Sequence, residues 1–477
     1  MKISKDLKEN IDYIKSICTN KDLVVRELFC GSKKIDLVFL NEQINEERLE
    51  RYVILPIVES KITPKNFEDI KKKVIAISEI KDETDLNETI NEIMKGNSVL
   101  FMQGENVAVK CMTLKSAQRA VEEPPSSEVI YGPREGFVEG IKTNLSLIRK
   151  RLPTARLIIE ELEVGRYTKS KVAICYLDDI ADDKVVKKIK SRIQNIDIDG
   201  ILDAHYLTSF LEEKKNSVFK QVGKTEKPDI AVAKILEGRV AILVDASPVV
   251  LTLPFVLIED LQNSDDYYQK SFRVSFIRCL RTIGLIFSIL LPGIYLSIQL
   301  YHYRIIPIKF LVTIMDSTQG ITFSPFMEML FVLILFDILF EASLRMPKYI
   351  GVAVSIVGAL VLGDTAVKAG LVSSPAVMII ALTGISFYTL PDQTAQLGIL
   401  RLLFTLLGGM IGFIGIVVGS IAIVVYLVDF NAYGSPYLAP YSPYIKGDLK
   451  DGIFKLETIS LKTRPRSVPN KNKKRQK

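Results

Sequence analysis

A long apolar stretch that contains acidic residues constrains this chain more than any other feature of its sequence. Residues 321–341, ITFSPFMEMLFVLILFDILFE, are apolar for about the length that crosses a bilayer, yet they include Glu328, Asp337 and Glu341. A carboxylate that faces hydrocarbon costs roughly 2.5 kcal/mol or more, so we expect these side chains to face protein or water. Asp337 and Glu341 share one helix face, Glu341 precedes Arg345 by one helical turn, and Glu328 lies roughly opposite. The pattern predicts an interior helix of a membrane assembly.

Composition divides the chain into two halves of different character. Of the 477 residues, 48% are hydrophobic and 25% are charged, but the charges concentrate before about residue 270 and are sparse from 281 to 429. The first half predicts a cytoplasmic α+β or α/β region of two small domains, and the second half an all-α multi-pass membrane domain. The N-terminal residues are polar and lack the apolar core of a signal peptide, so we expect the soluble half in the cytoplasm.

Proline, glycine and charge runs indicate the domain boundaries. We predict a soluble α/β domain at 1–120, a linker and junction motif at 121–136, a second soluble α/β domain at 137–262, a pre-membrane segment at 263–281, a transmembrane domain at 282–430 and a basic cytoplasmic tail at 431–477. The last part of the tail, residues 449–477, is expected to be disordered because it is polar and basic. The +7 formal charge fits membrane orientation and contact with anionic lipid rather than nucleic-acid binding.

Four full membrane spans are expected, with both chain ends in the cytoplasm. They are residues 282–301, 321–341, about 374–390, and 402–428. The run GVAVSIVGALVLG is too short to cross alone and ends at Asp364, so it predicts a short or re-entrant helix packed inside protein. A six-span arrangement, in which this run crosses and the last run is split, keeps both ends on the same side and stays open.

Glycines with helical spacing mark the last apolar run. Gly408 and Gly412 form one pair, and Gly415 and Gly419 form another. Because a bare helix face lets another helix approach closely, these glycines predict helix packing.

Residues that catalyse reactions or bind metals form no recognisable set. The five cysteines have no paired spacing, and the two histidines lie far apart, in different halves of the chain. The sequence therefore predicts reduced thiols, no metal, no cofactor and no enzymatic activity.

A junction motif, YGPREGFVE at 131–139, connects the linker to the second domain. An amphipathic helix follows it and ends at Pro153. The GPREG turn could bind a phosphate if it opened a helix. A turn that docks the linker onto the second domain is the simpler interpretation.

Four segments together resemble the A subunit of GerA-type spore germinant receptors of endospore-forming bacteria. They are YGPREGFVEGIKTNLSLIRKRLP at 131–153, DDYYQKSFRVSFIRCLR at 265–281, FEASLRMPKYIGVAVSIVGALVLGDTAVKAGLVSS at 340–374, and YGSPYLAP at 433–440. The resemblance covers most of the chain after Tyr131. Residue by residue it matches Tyr131, Gly132, Pro133, Arg134, Glu135, Phe137, Glu139, Asp265, Tyr267, Tyr268, Glu341, Arg345, Pro347, Gly434, Pro436, Tyr437 and Pro440.

The resemblance implies a multi-pass A subunit of the spore inner membrane with a large cytoplasmic N-terminal region. Its implied partners are a transporter-like B subunit, taken to bind the nutrient, and a lipoprotein C subunit. A subunits of this family are thought to form a ring, so the resemblance implies a homo-oligomer that forms or gates an ion channel and triggers germination. The membrane acids Glu328, Asp337, Glu341 and Asp364 are then candidates for pore lining, packing or gating.

Some charged positions depart from the family pattern. Asp337 and Phe340 stand where Glu and Arg are expected, and Asp364 and Lys368 where Gln and Glu are more common. We therefore expect the ion preference or the gating of this chain to differ from that of typical family members. Two other functions also stay open, a secondary transporter of a small solute and a membrane-anchored enzyme. The sequence shows no inverted repeat that favours the first and no catalytic set that favours the second.

Overall fold

The computed structural model describes residues 1–18, 23–41, 43–77, 79–113, 131–345 and 365–476. Within them, two α/β domains are followed by a helical region, and the C-terminal segment returns to the second domain. The predicted short helix that ends at Asp364, and the linker residues before Tyr131, lie outside the described residues.

The first domain is a sheet covered by helices on both faces. Its strands are β1 (Leu23–Cys30), β2 (Lys33–Leu40), β3 (Ile80–Glu83), β4 (Ser98–Met102) and β5 (Ala108–Cys111). They pair antiparallel in the order β1-β2-β4-β5-β3, and β1 and β2 form a hairpin that turns at Gly31, as the two β-rich runs on either side of Cys30-Gly31-Ser32 indicate. Its helices are α1 (Leu7–Ile17), α2 (Glu46–Leu49), α3 (Leu55–Glu59), α4 (Phe67–Lys73) and α5 (Leu86–Met94), with a π-helical turn at Glu50–Ile54 between α2 and α3. Helices α1 and α5 pack on one face and the others on the opposite face.

The second domain repeats this arrangement. Its strands are β6 (Leu157–Val164), β7 (Ser170–Leu177), β8 (Gly223–Thr225), β9 (Val240–Val244) and β10 (Val250–Leu253), in the order β6-β7-β9-β10-β8. Its helices are α6 (Ile141–Arg151), α7 (Asp183–Gln194), α8 (Ala204–Leu211), α9 (Pro228–Leu236) and α10 (Ile258–Leu261). The apolar stripes of α6 and α9 cover one face, and those of α7 and α8 the other.

One buried asparagine performs the same task in both domains. The Asn10 side chain donates to the Ser4 carbonyl oxygen at 2.7 Å and accepts from the Ser4 N–H at 2.8 Å. Asn144 does the same with Val138, at 2.5 and 2.8 Å. Because an amide side chain offers both a donor and an acceptor, each asparagine fixes the extended segment that precedes its helix. The shared strand order and this shared clamp make the two domains structural repeats.

Most helices of these domains begin at a side chain that satisfies a free backbone N–H. The capping residues are Asp6, Asn45, Asn66, Asp85, Asp182 and Asp203, each of which accepts a bond from the first turn. Such caps typically contribute about 1 kcal/mol each. Local sequence therefore sets where these helices start.

The helical region begins with the longest helix of the chain. Its helices are α11 (Ser271–Tyr301), α12 (Ile308–Thr318), α13 (Pro325–Arg345), α14 (Ala366–Lys368), α15 (Ser374–Phe387), α16 (Thr394–Met410) and α17 (Phe413–Val428). Among the described residues, α11 alone is by itself long and apolar enough to cross a membrane. The pair Ser374–Phe387 and Pro391–Met410, bent by 105°, could supply a second crossing. The four-span arrangement thus stays a prediction.

The last apolar run is not one helix, which corrects the predicted span at 402–428. Gly412 separates α16 from α17. Its backbone has φ of 75° and ψ of −154°, a conformation that is strongly unfavourable for any residue other than glycine. The run is therefore divided, as in the six-span alternative.

The C-terminal segment is folded, which corrects the predicted disorder of residues 449–477. Strands β11 (Asn431–Ala432) and β12 (Ser435–Pro436) form a small hairpin, and Tyr433 between them donates its hydroxyl to the Leu211 carbonyl at 2.6 Å. Further on, Arg464 donates to the Leu236 carbonyl at 2.7 Å, and Lys471 pairs with Asp183 at 2.6 Å. The basic composition suggested a solvated tail, but these side chains bind carbonyl and carboxylate groups of the second domain.

Candidate functional site

The junction motif meets the pre-membrane segment in space. The N–H of Tyr131 donates to Asp265 Oδ1 at 3.3 Å. Gly132 has φ of 106°, and a Cβ there would lie 2.6 Å from the Tyr268 ring, so only glycine fits under this ring. Lys227, at the start of α9, donates to the Pro133 carbonyl at 2.8 Å. Two motifs more than a hundred residues apart therefore form one contact region.

The rest of the junction motif holds the second domain. Glu135 pairs with Lys150 at 3.2 Å and with Arg151 at 2.6 Å. Burial alone would raise the pKa of Glu135, but these two bases outweigh it and hold the pKa below its usual value. Phe137 is buried in the core, and the N–H of Ala246 donates to the Glu139 carbonyl. Arg134 is exposed in the same segment. Helix α6 begins only at Ile141, so GPREG does not open a helix.

Buried ion pairs hold the start of α11. Arg278 is fully buried and donates to Asp266 at 2.7 Å, to Asp451 at 2.9 Å and to the Gly452 carbonyl at 2.7 Å. Arg281 also donates to Asp266, at 2.9 Å. Arginines just before an apolar helix are typical of the cytoplasmic end of a membrane span. Since a buried charge is stable only when it is paired, they also tie the C-terminal segment to α11.

The acidic residues of α13 have three different environments. Glu328 is 2% exposed and accepts from the backbone N–H of Ser373 at 2.5 Å, at the N-terminus of α15, where the helix dipole favours a negative charge. The Asp337 side chain is 45% exposed and pairs with Arg401. Glu341 is exposed and pairs with Arg345 at 2.6 Å, as its spacing predicts. Asp364 lies outside the described residues.

Arg401 is the functional candidate that sequence reasoning missed. Its side chain is fully buried on α16, and its guanidinium lies 5.5 Å from the ring centre of Phe336 and 5.0 Å from that of Phe387. Its Nε and Nη1 atoms have no hydrogen-bond partner among the described residues. The available signal was a lone arginine in an otherwise apolar helix, which requires a partner such as Asp337.

The four predicted packing glycines do not form one helix face. A Cβ on Gly408 would overlap the backbone of Gly293 in α11, so α16 and α11 approach closely there. Gly412 lies at the break beside Tyr301, whereas Gly415 and Gly419 belong to α17 and pack against α16. Gly408, Gly415 and Gly419 thus lie at helix contacts, whereas the predicted pair of Gly408 with Gly412 is interrupted because the helix breaks at Gly412.

A polar cavity of about 980 Å³ lies between the second domain and the helical region. The cavity is lined by strand β8, helix α9, residues 259–268, Arg281, the bend at 388–392 between α15 and α16, and Arg475 of the C-terminal segment. The charged pairs Lys234 with Glu259 and Lys220 with Asp260 stand in or beside its wall. The cavity is thus lined by the second domain, the pre-membrane segment, the helical region and the C-terminal segment.

Metal binding and disulfide formation find no support in the described residues. No group of three or more His, Cys, Asp or Glu side chains is placed to hold a metal ion there, and none of the five cysteines is disulfide-bonded in this part of the chain. Burial raises the pKa of the Cys111 thiol to about 12, which makes it unreactive.

Comparison with known proteins identifies the family that this chain resembles. The Bacillus/Clostridium GerA spore germination protein family matches residues 11–467. The chain is 32% identical to spore germination protein KA of Bacillus subtilis, over 99% of this chain and 89% of that protein. It is 34% identical to the membrane protein YfkQ of the same organism, over 97% of this chain and 91% of that protein.

A solved structure is also similar. It is the N-terminal domain of the A subunit of the Bacillus megaterium spore germinant receptor GerK3, 27% identical, with a TM-score of 0.41, over 54% of this chain and 98% of that one. With the family match covering nearly the whole sequence, the chain belongs to the GerA family of spore germination proteins.

Proposed function

We propose that this chain is the A subunit of a nutrient germinant receptor, a multi-pass protein of the spore inner membrane that oligomerises to form or gate an ion channel. A transporter-like B subunit and a lipoprotein C subunit are its proposed partners. The observation that carries the proposal is the set of charges inside the apolar helices, where Asp337 meets Arg401 and Glu328 meets the N-terminus of α15. Ionisable groups at such depth are characteristic of ion pathways and gates.

The position of the chain ends supports a cytoplasmic location for both. Residues 470–471 contact the second domain through the Ala181–Asn470 bridge and the Lys471–Asp183 pair. The soluble half and the C-terminal segment therefore lie on one side of any membrane that the helices cross. An even number of crossings follows, which four or six spans satisfy.

Oligomerisation is supported by the surface of the helical region. Many apolar side chains on it are exposed, and Asp337 and Glu341 line an open groove with Ile334 and Ile338. Since carboxylates do not face lipid cheaply, a second copy or a partner subunit is the proposed cover.

The direct test is ion release from vesicles that contain the purified chain with its B and C partners. Nutrient-dependent release, lost when Asp337 or Arg401 is replaced by leucine, is the expected result. Monomers only in mild detergent, together with no nutrient-dependent release, would contradict the proposal. Stoichiometric uptake of a solute by this chain alone would favour the transporter instead.

A further inference from the structure

A loop of the C-terminal segment, residues 441–456, lies against the first turns of α11. Arg278 of α11 donates to the Gly452 carbonyl at 2.7 Å, and the Ser275 hydroxyl accepts from the Lys455 N–H at 3.0 Å. These bonds fix the loop beside the start of the helix that is long and apolar enough to cross a membrane.

The position of the loop along α11 is at the edge of the apolar span. An α-helix rises about 1.5 Å per residue, so the contact at Arg278 is about 6 Å from Thr282, where the apolar run begins. The polar headgroup layer of a bilayer is of similar thickness, roughly 5–7 Å on each side of the hydrocarbon. Ile445 and Ile453 of the loop pack against the same buried cluster as Leu285, which belongs to the apolar run. When α11 crosses a bilayer, the loop is therefore level with the headgroups.

The outer surface of the loop is rich in apolar and aromatic side chains that no described residue covers. Tyr444 is 71% exposed and Phe454 is 67% exposed. Phe276 and Leu280 of α11 are also exposed, on either side of the contact with the loop. Aromatic rings, and tyrosine above all, are enriched where protein meets the headgroup layer, because one part of the ring is apolar and the hydroxyl stays in contact with water.

Two lysines of the loop have no acidic partner. Lys446 and Lys450 are exposed, and neither forms an ion pair with a described residue. The acids of the loop are engaged, since Asp451 pairs with α11 and Asp448 accepts a backbone hydrogen bond at 2.7 Å. Glu457, just after the loop, is exposed and offsets only one of the two lysines. The excess positive charge is complementary to anionic headgroups.

The basic end of the chain is used differently. Arg464 donates to a carbonyl of the second domain, Lys471 pairs with Asp183, and Arg475 lies 4.0 Å from Glu237. The sequence predicted lipid contact from this basic composition, but these three side chains bind protein. The exposed lysines of the loop are the cations of the C-terminal segment that lie closest to the apolar span along α11.

We propose that loop 441–456 lies in the headgroup layer on the cytoplasmic face of the membrane and binds anionic phospholipid. Lys446 and Lys450 contact the phosphates, and the rings of Tyr444 and Phe454 insert between the headgroups. Because the loop is bonded to α11, lipid binding holds the start of this helix at a fixed depth. The proposal rests on the proposed function for the crossing of α11 and goes beyond it by assigning a lipid to a surface.

Tryptophan fluorescence tests the location of the loop, since the chain contains no tryptophan. The full-length chain with Tyr444→Trp or Phe454→Trp is reconstituted in vesicles of equal parts phosphatidylcholine and phosphatidylglycerol, with bromine near the top of the acyl chains as the quencher. We expect both variants to lose fluorescence. Tyr167→Trp, exposed in the turn between β6 and β7, is the control and should keep it. Phe287→Trp, in the apolar part of α11, is the reference for membrane insertion.

The reference separates failure of this inference from failure of the proposed function. Quenching of Phe287→Trp without quenching of either loop variant would overturn the inference, leave the crossing of α11 intact and indicate that another subunit covers the loop. No quenching in any of the three would contradict both. Quenching of the loop variants alone would support the lipid contact and count against the crossing.

The charge of the lipid tests the role of the lysines. A lysine close to an anionic surface favours binding by about fivefold. Brominated phosphatidylglycerol should therefore quench Tyr444→Trp at least about twofold more strongly than the same mole fraction of brominated phosphatidylcholine. Lys446→Gln with Lys450→Gln should remove this difference, whereas Lys184→Gln with Lys187→Gln, which removes the same charge from α7, should preserve it. Equal quenching of Tyr444→Trp by the two lipids would overturn the assignment of an anionic lipid.

Discussion

Among single residues, the charged side chains at the boundary differ in whether the fold provides a partner. Arg278 donates hydrogen bonds to three residues, Asp266, Asp451 and Gly452, whereas the Lys224 side chain donates to none among the described residues. Because an unpaired, partly buried charge destabilises the folded state, Lys224 is expected to reduce the stability of the chain.

Replacing Lys224 by methionine should therefore stabilise the chain at pH 7. Its folded-state pKa is lowered, chiefly by burial, so its contribution to stability is present above the unfolded value near 10.5 and is lost as the pH falls through the folded value. The gain of Lys224→Met in the midpoint of thermal unfolding should be largest near pH 7 and shrink towards pH 10. Lys187→Met, on the exposed face of α7, is the control and should change nothing. A gain that grows with pH would contradict this reasoning.

The pair of Asp337 and Arg401 makes a second prediction for single residues. Asp337→Leu leaves a fully buried guanidinium without its carboxylate, which should reduce the free energy of unfolding by about 3 kcal/mol. The double variant with Arg401→Leu should recover most of that loss. Glu341→Leu breaks an exposed pair on the same helix and should cost only about 0.5 kcal/mol. Denaturant unfolding in detergent measures all three, and equal losses for Asp337→Leu and Glu341→Leu would show that Arg401 does not depend on Asp337.

For helices and strands, the sequence predicts the structure wherever that structure depends on residues close together in the chain. Turn residues, apolar periodicity and helix caps account for the hairpin at Gly31, the helix that ends before Pro153 and the helix at 183–194. The sequence leaves the break at Gly412 open between two alternatives, because an apolar run with glycines is compatible with one helix or with two. The docked C-terminal segment was not predicted, because its partners lie in the second domain and local composition does not reveal them.

The crossing of α11 and α16 depends on a glycine on each helix. A Cβ on Gly408 would overlap the Gly293 backbone, so Gly408→Ala must push the helices apart and lose packing around the crossing. We expect a loss of about 1–3 kcal/mol in the free energy of unfolding. Gly398→Ala, on the same helix with open space around it, should instead be neutral or gain about 0.5–1 kcal/mol from helix propensity. Similar losses in both variants would mean that the close approach is not what Gly408 provides.

In the whole molecule, the boundary region joins parts that are distant in sequence. The junction motif, the pre-membrane segment, the start of α11 and the C-terminal segment meet around Asp266 and Tyr268. Sequence reasoning found each of these segments separately, through the resemblance to one family, but could not bring them together. Contacts over such separations depend on the complete fold. The cavity wall includes residues of the second domain and of the helical region, so the cavity is in contact with both halves of the molecule.

The C-terminal segment should hold α11 to the second domain, and its removal should loosen the start of that helix. A chain that ends after Lys446 loses Asp451 and the Gly452 carbonyl, which leaves Arg278 with Asp266 alone. Amide hydrogen exchange in residues 271–281 should then accelerate by about tenfold or more, while exchange in α1 stays as it was.

A smaller change separates this role from a general loss of folding. Asp451→Asn removes only the charge that Arg278 meets at 2.9 Å, so it should accelerate exchange in the same residues to a lesser degree. Lys471→Ala breaks an exposed pair of the same segment with Asp183 and should have no effect there, because such pairs contribute little. Unchanged exchange at 271–281 in the truncated chain would mean that the first long helix is held by the pre-membrane segment alone. In that case the return of the C-terminal segment would follow from the fold without contributing to the coupling between the two halves.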